Sequence, residues 1–235
     1  DAYNAPWAVR IGAKVLGWPF QFLGYKGDTT MPPATRALTA LGPAYIKFGQ
    51  ILSTRPDVVG DVLAVQMRVL QDKLPPFSMD AAKKMIEAEL KQPLGEVFSE
   101  FSAPVAAASI AQVHRGKLVS DGSDVAVKVL RPGIEKAFRR DIDAFYFAAR
   151  MIETLAPSAR RLRPLDVIAH FEGVVMGELD LRLESSAAGE FAANTEADIG
   201  FQMPKIKWNM SGRNVMTMDW AEGISAGDNE ALDAA

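Results

Sequence analysis

The feature that most constrains this chain is a predicted hairpin that ends in an alternating strand. Val125, Val127 and Val129 alternate with residues that include Lys128, which is the period of two expected of a strand. The preceding Ser-Asp-Gly-Ser-Asp at 120–124 is typical of a turn, because Gly tolerates positive φ and Asp and Ser bond their own backbone. A shorter strand around residues 113–119 comes before that turn. The sequence therefore predicts two strands joined by a turn, with a lysine on the second.

An alanine-rich loop is predicted before the hairpin, at residues 106–112 (Ala-Ala-Ala-Ser-Ile-Ala-Gln). Protein kinases carry a glycine-rich phosphate cover at this place, and they keep the lysine that holds the ATP phosphates on a strand ending Val-Ala-Val-Lys. Glycine brings backbone N–H groups close to phosphate oxygens, whereas the Cβ of alanine obstructs that approach. We therefore expect a stiffer loop and a changed phosphate pose.

Composition excludes several functional classes. The chain has 235 residues, of which 49% are hydrophobic and 23% charged, as in a folded protein of one or two domains. Its net charge of −3 gives no case for nucleic acid binding, and the absence of cysteine with only two histidines excludes a disulfide framework and a His- or Cys-rich metal site. No apolar run reaches about 18 residues, and the first residues show no signal-peptide pattern, so neither a transmembrane helix nor a leader is expected.

The amino-terminal segment leaves two interpretations open. Residues 5–24 are rich in aromatic side chains and carry Arg10 and Lys14 on one helical face, which suits a membrane interface. The favoured alternative is a helix and strap packed on their own domain. A linker is predicted at 27–33, where Gly, Thr and Pro are frequent.

Several helices are predicted from apolar periodicity. One begins near Pro43 and ends before Pro56, with a possible stripe of Tyr45, Phe48 and Leu52. Others span 58–71, 79–91 with Ser78 as its cap, and 134–152. The buried sets predicted for the first two of these are Val62, Val65, Met67, Val69 and Leu70, and Ala82, Met85, Ile86 and Leu90. On the helix at 134–152, the side predicted to face solvent consists mainly of Arg139, Arg140, Asp141 and Asp143.

The carboxyl-terminal half is predicted to hold one long helix at 165–193. On one continuous helix, Asp180 and Glu184 share a face and Glu178 pairs with Arg182. One of these acids could reach Lys128, and Glu184 is the preferred partner. Strands are predicted at 203–210 and 214–220, followed by a frayed end at 228–235.

Taken in order, these motifs resemble those of the UbiB-type atypical kinases, also called aarF-domain kinases. Residues 47–50 (Lys-Phe-Gly-Gln) match the Lys-x-Gly-Gln signature of that family, inside a longer match over 41–57. The segment 106–114 resembles its alanine-rich loop, and 125–128 its strand lysine. Residues 178–180 match its Glu-x-Asp motif, and 216–220 resemble the strand that leads to its hinge.

The resemblance implies an α+β fold: a protein-kinase-like amino-terminal lobe, with a small antiparallel sheet and a C-helix, preceded by a family-specific helical extension. It divides the chain into an extension at 1–95, the lobe at 96–224, and a frayed tail or the start of a carboxyl-terminal lobe at 225–235. His-Arg-Asp and Asp-Phe-Gly motifs do not occur. We therefore expect the catalytic loop and the magnesium ligands outside this chain, and negligible turnover by the chain alone.

The same resemblance implies the site residues. Lys128 and Glu184 would be the catalytic pair. The nucleotide-binding residues would be Ala106, Ala107, Ala108, Ser109, Ile110, Ala111, Lys128, Met218 and Trp220. The motif that covers the cleft would comprise Lys47, Gln50, Glu178 and Asp180. No metal ligand is assigned within the chain, and His114 is predicted to be structural rather than catalytic.

The function implied is that of an ATP- or ADP-binding protein using Mg²⁺, an ATPase or small-molecule kinase rather than a protein kinase, that supports ubiquinone biosynthesis or lipid homeostasis. The alternative is a nucleotide-gated pseudokinase that binds lipids or biosynthetic enzymes without phosphoryl transfer. Membrane lipid or quinone-biosynthesis proteins would be the partners. The expected location is cytoplasmic, peripheral at the inner face of a bacterial membrane, or mitochondrial in a eukaryote.

Overall fold

The structure is a computed structural model that describes residues 31–71, 76–224 and 229–234. Contacts group the chain into two compact units, each built from two segments. The described parts of the first unit are 31–71 and 136–171, and the second unit holds 76–135 and the described residues from 172 onward. The interpretations of residues 5–24 lie outside the described residues. The family-based division at 95/96 stays a prediction.

Four short helices, three of which begin at prolines, form the described segment 31–71 of the first unit. They are α1 (Pro33–Leu41), α2 (Pro43–Ser53), α3 (Pro56–Val59) and α4 (Asp61–Arg68), followed by a 3₁₀ turn at Val69–Gln71. Proline suits the first position of a helix because its φ is already helical and its missing N–H has no intrahelical partner there. The structure thus begins α2 at the predicted proline and ends it before the next one. Helix α1, for which no helix was predicted, takes up the end of the predicted linker.

Gly49 sets how closely α2 packs on its neighbours. A Cβ added at this position would lie 2.5 Å from Leu70 Cδ1 and 2.7 Å from Leu38 Cδ1, distances that real side chains do not tolerate. The close approach lets Ile46, Met67 and Leu70 form one buried cluster. The glycine of the Lys-x-Gly-Gln signature therefore has a packing role within this unit.

The helix predicted at 58–71 is wrong in two respects. Gly60, with φ of 82°, interrupts it and separates α3 from α4. Of the predicted buried set only Met67 and Leu70 are buried, together with the small Ala64. The exposed members are Val62, Val65 and Val69. The break resets the helical phase, so an apolar pattern counted across it selects the wrong face.

The long helix α7 (Ile134–Leu155) is confirmed, and most of it belongs to the first unit. Its Phe145 ring lies 4.6 Å from Tyr45 and 5.0 Å from Phe48, measured between ring centroids. Phe171 meets Phe48 and Phe145 edge-on at 5.2 and 5.6 Å. The aromatic residues of the stripe predicted for α2 thus pack on α7 through aromatic contacts.

Asp141 of α7 was predicted to lie on the solvent-exposed side of the helix, and the structure shows that it is buried. It is only 5% exposed, and its Oδ1 accepts hydrogen bonds from Arg140 Nε and Nη2 at 3.1 and 2.9 Å. The neighbouring guanidinium offsets part of the cost of burying this carboxylate, whose Oδ2 has no hydrogen-bond partner. The other three residues predicted for that side, Arg139, Arg140 and Asp143, are exposed.

A four-stranded antiparallel sheet forms the centre of the second unit. Its strands are β1 (Phe98–Ala107), β2 (Ala111–Leu118), β3 (Asp124–Leu130) and β4 (Val215–Asp219), hydrogen-bonded in that order. The predicted hairpin is therefore confirmed. The valines of β3 are 0% exposed and pack with Ile86 of α5 (Met79–Leu90) in one core.

Helix α5 follows its sequence signals closely. Ser78 Oγ accepts the Ala81 N–H at 3.3 Å, as expected of an N-cap. Ala82 and Ile86 of the predicted stripe are fully buried. A short helix α6 (Leu94–Val97) follows and leads into β1.

The long helix predicted at 165–193 is two helices, α8 (Pro164–Glu178) and α9 (Leu181–Asn194). Asp180 stands between them with extended backbone, and its carboxylate accepts the Arg182 N–H as the N-cap of α9. Arg182 therefore pairs with Asp180 at 2.6 Å rather than with Glu178. The apolar pattern continues across the break, which is why periodicity alone does not reveal it.

The strand predicted at 203–210 is also wrong. Only Ile206 forms a bridge, to Met218, and Trp208–Met210 is a 3₁₀ turn. Pro204 offers no N–H to a ladder, which disfavours a regular strand there. The predicted frayed end includes a short helix, α10 (Asn229–Asp233). Within the described ranges, none of the helices has the length and apolar character needed to cross a bilayer.

Replacing Gly49 by Ala should destabilise the protein, because the new methyl group collides with Leu38 and Leu70. We expect a loss of about 1–3 kcal/mol in the free energy of unfolding, the usual cost of overpacking. Denaturant unfolding measures it. The matched control is Gly173→Ala in α8, where an added Cβ meets nothing within 4 Å. Equal stability of the two variants would show that Gly49 does not limit the packing.

Candidate functional site

The register of the sheet brings several predicted site residues onto one face. Lys128 stands opposite Val113 on β2 and Met216 on β4, and Ala106 on β1 stands opposite Val113. Residues directly opposite each other in antiparallel strands share a face of the sheet. Lys128 is therefore flanked by apolar side chains, on the face opposite the buried valines.

Glu184 of α9 holds the ammonium group of Lys128. The distances from Lys128 Nζ to the two carboxylate oxygens are 2.6 and 2.7 Å. The lysine side chain is 22% exposed and the glutamate side chain 44% exposed. The structure thus brings the predicted pair together, with the cation partly shielded and the carboxylate more open to solvent.

The alanine-rich loop is shorter than predicted. Ala106 and Ala107 belong to β1, and Ala111 begins β2, so only residues 108–110 form the loop. The Ala108 N–H donates to the Ala111 carbonyl at 2.8 Å, which closes the turn. Ser109 and Ile110 are buried. The segment is a tight hairpin rather than an open cover.

Arg131 fixes this hairpin, and the sequence analysis did not single it out. Its guanidinium donates to the Ala108 carbonyl through Nε and Nη2 at 3.1 and 3.0 Å. Its own N–H donates to the Ile110 carbonyl at 2.8 Å, and its guanidinium lies 5.7 Å from the Phe77 ring centroid. Burial lowers the pKa of Arg131 from its ordinary value, although arginine stays charged near neutral pH. The available signal was a cation immediately after the valine-rich strand.

The two predicted hinge residues lie at the far end of β4. Met218 stands opposite Ala126 and so shares the face of Lys128. The Trp220 N–H donates to the Asp124 carbonyl at 3.1 Å, and the Arg115 guanidinium lies 4.9 Å from the Trp220 ring centroid. A cation over an indole ring is attractive, so the ring is held in place.

The residues predicted to cover the cleft are found in both units. In the first unit, Gln50 Nε2 donates to the Leu70 carbonyl at 2.7 Å, and Lys47 is half-buried on α2. In the second, Glu178 is half-buried at the end of α8. Hydrogen bonding to Arg182 lowers the pKa of Asp180, the α9 cap. The expected convergence of the Lys-x-Gly-Gln side chains on Lys128 stays a prediction.

His114 is fully buried in a hydrogen-bonded chain within the second unit. Nδ1 lies 2.9 Å from the Ser102 carbonyl and must donate to it, which leaves Nε2 to accept from Gln112 Nε2, also at 2.9 Å. Gln112 Oε1 in turn accepts the Phe77 N–H. Burial, the main cause, lowers the pKa of His114. These contacts support the predicted structural role.

The charged groups at the centre of the site are the ammonium of Lys128 and the carboxylate of Glu184. Across the described ranges, no three His, Cys, Asp or Glu side chains come together as metal ligands. A lysine clamped by a helical glutamate over one face of an antiparallel sheet is the phosphate-anchoring arrangement of protein kinases. The fold and this pair define the class: a protein-kinase-like amino-terminal lobe with α9 as its C-helix.

Comparison with known sequences gives the family. Residues 69–235 match the ABC1 atypical kinase-like domain. The chain therefore belongs to the ABC1 atypical kinase-like family, the family that its motifs resemble. The predicted α+β kinase-like fold is confirmed by this match and by the four-stranded sheet.

Curated relatives support the assignment. The chain is 42% identical over 200 residues to a probable protein kinase UbiB of Marinobacter nauticus, covering 85% of this chain and 36% of that protein. A relative of the same name from Shewanella frigidimarina is 38% identical over 236 residues, covering 99% of this chain and 42% of that protein. The chain spans about two fifths of the length of these relatives.

A solved structure agrees on the fold. The complex of Rv3197 with erythromycin, from Mycobacterium tuberculosis, superposes with a TM-score of 0.55 and 26% sequence identity. The match covers 94% of this chain and 52% of that one.

His114 should make the protein less stable in mild acid. Its pKa in the folded state lies below the ordinary 6.5, so the unfolded state takes up the proton first as the pH falls through that value. The free energy of unfolding should therefore decrease between about pH 7.5 and about pH 5.5, and less so in His114→Gln. Denaturant titrations at several pH values measure this. The exposed His170, replaced by Gln, is the control; an identical pH dependence in all three proteins would contradict the assignment.

Proposed function

We propose that this chain is the nucleotide-anchoring part of an ATP-binding protein of the ABC1 atypical kinase-like family that supports ubiquinone biosynthesis or lipid homeostasis. ATP or ADP would bind with Mg²⁺, whose protein ligands we expect outside the chain. The activity proposed is ATP hydrolysis or phosphorylation of a small molecule rather than of a protein. The names of the UbiB relatives support the link to ubiquinone.

The pair of Lys128 and Glu184 is the observation that carries this proposal. A lysine without a partner would sample many rotamers. Here the two carboxylate oxygens of Glu184 lie 2.6 and 2.7 Å from Lys128 Nζ and hold the ammonium group in one place. The ammonium group would bind the α- and β-phosphates. Ala106–Ala111 and the Met218–Trp220 end of β4 would then contact the remaining phosphate and the adenine.

The preference for a substrate other than a protein rests on the Lys-x-Gly-Gln extension. In the family that the sequence resembles, this extension covers the cleft and blocks a protein substrate. Within the first unit, the close packing at Gly49 and the hydrogen bond from Gln50 to Leu70 hold the helices of the extension together.

Replacing Lys128 by Ala should weaken ATP binding by the full-length protein. Loss of one charge-assisted contact costs about 1.5–3 kcal/mol, which corresponds to an affinity about ten- to 150-fold lower. Calorimetric titration with ATP and Mg²⁺ measures the affinity, with Lys84→Ala on the exposed side of α5 as the matched control. If Lys128→Ala binds ATP as tightly as the control, the proposed function is wrong.

We also propose peripheral contact with a membrane. The second candidate function is a nucleotide-gated pseudokinase module that binds lipids or biosynthetic enzymes without phosphoryl transfer. The complex of Rv3197 with erythromycin favours that candidate, because a protein of similar fold binds a bulky organic ligand.

Two measurements on the full-length protein separate the candidates. Steady ATP hydrolysis that requires Lys128 supports the enzyme. Liposome co-sedimentation that changes with nucleotide, without any hydrolysis or phosphoryl transfer, supports the binding module. Recovery of the protein only in the supernatant, with and without nucleotide, contradicts membrane contact in either case.

A further inference from the structure

The turn at residues 212–214, before β4, is held by one carboxylate from α5. Glu89 Oε1 accepts the Arg213 N–H at 2.7 Å. Its Oε2 accepts the Asn214 N–H at 3.3 Å and the Asn214 side-chain amide at 2.8 Å. Three donors thus converge on a single carboxylate, so the position of the 212–214 turn depends on Glu89.

Gly212 makes room for that carboxylate. A Cβ added to Gly212 would lie 1.9 Å from Glu89 Oε1, and its three nearest atoms all belong to Glu89. The turn therefore admits the Glu89 side chain only while residue 212 has no side chain of its own.

The 212–214 turn also holds both elements that carry the nucleotide-anchoring pair. The Arg213 carbonyl accepts the N–H of Leu181, the first residue of α9, at 2.9 Å. The Asn214 carbonyl accepts the N–H of Leu130, the last residue of β3, at 3.0 Å. Glu184 lies within the first turn of α9, and Lys128 lies two residues before Leu130. The turn thus links the start of the helix to the end of the strand.

The side chain of Arg213 also ties the turn to Glu135, a residue of the second unit. Its Nη2 donates to Glu135 Oε2 at 2.9 Å. The backbone of Arg213 is hydrogen-bonded to Glu89 and Leu181, and its side chain forms an ion pair with Glu135. The carboxylate of Glu89 and this ion pair restrain the turn from two directions.

We propose that Glu89 is a positioning residue for nucleotide binding: through the 212–214 turn it sets the start of α9, and thereby the geometry of Glu184 on Lys128. Glu89 is given no contact with the nucleotide. This inference rests on the proposed function, since it assigns Glu89 an effect on the same site. It makes α5 a part of the site, although the helix carries none of the nucleotide-binding residues.

The test is a double-mutant cycle on ATP affinity in the full-length protein. Glu89→Ala should lower the affinity about two- to thirtyfold, the range typical of a residue that modulates a site without touching the ligand. In a Glu184→Gln background the same change should have no further effect, because the geometry that Glu89 sets has already been lost. Glu96→Ala, which removes an exposed carboxylate on α6, is the matched control and should leave the affinity unchanged.

Hydrogen exchange separates positioning from general loss of stability. In Glu89→Ala the amides of residues 181, 213 and 214 should exchange faster, while those of the β2–β3 ladder remain protected. Glu89→Gln, which keeps the size and one acceptor oxygen, should lie between wild type and Glu89→Ala in both affinity and exchange. If Glu89→Ala does not fold, the same affinity and exchange measurements are made on Glu89→Gln.

Gly212→Ala tests the same contact from the other side. Alone it should displace the carboxylate and reproduce the affinity loss of Glu89→Ala. Added to Glu89→Ala it should cost little more, since its nearest obstacle is gone.

The outcomes distinguish the two proposals. The positioning role would be overturned if Glu89→Ala lowered ATP affinity equally in the wild-type and Glu184→Gln backgrounds, or if it did not lower it at all. Lys128 would still be the proposed anchor in that case. Wild-type ATP affinity in Lys128→Ala would instead overturn the proposed function, and the positioning role with it. Both proposals are supported if Glu89→Ala lowers ATP affinity only when Glu184 is present and if faster hydrogen exchange is confined to residues 181, 213 and 214.

Discussion

The alternation of β3 is the constraint on which the second unit depends. Val125, Val127 and Val129 are completely buried, and a strand has only two faces. A slip of one residue against β2 or β4 would expose the three valines and move Lys128 into the core, where an ammonium group is costly to bury. The position of the lysine is therefore a consequence of hydrophobic burial. The carboxylate that pairs with this lysine comes from Glu184 of α9.

Local patterns were enough to predict most elements, because their causes lie within a few residues. The hairpin, the Ser78 cap and the long helix α7 follow from turn residues, capping residues and apolar periodicity. Two of the errors share one cause. At Gly60 and Asp180 the backbone leaves the helical conformation while the apolar pattern continues, and the period does not register a break of one or two residues. The consequences were an exposed face taken as buried and a surface ion pair assigned to the wrong acid.

The site was predictable where both partners belong to a recognisable motif, as with Lys128 and Glu184. Arg131 and Glu89 were missed because most of their hydrogen-bond partners are backbone groups, which a sequence does not reveal. Gly49 is the reverse case, since its motif was recognised but its physical role came only from the structure. The methyl group that it lacks would occupy the place of two leucine side chains.

The alanine hairpin changes what a phosphate would meet in this site. Glycine is required where φ is positive or where backbone must approach a ligand closely. All residues of 106–112 lie in the described part of the chain, and none has positive φ, so alanine causes no backbone strain. The Ala108 N–H is already used by the Ala111 carbonyl, and the Ala108 carbonyl is held by Arg131. A hairpin closed in this way has fewer backbone donors to offer an anion than an open glycine loop. Under the proposed function, phosphate anchoring then depends more heavily on the single ammonium group of Lys128. On this proposal, the contacts that orient Glu184 should matter more here than they would beneath a glycine-rich cover.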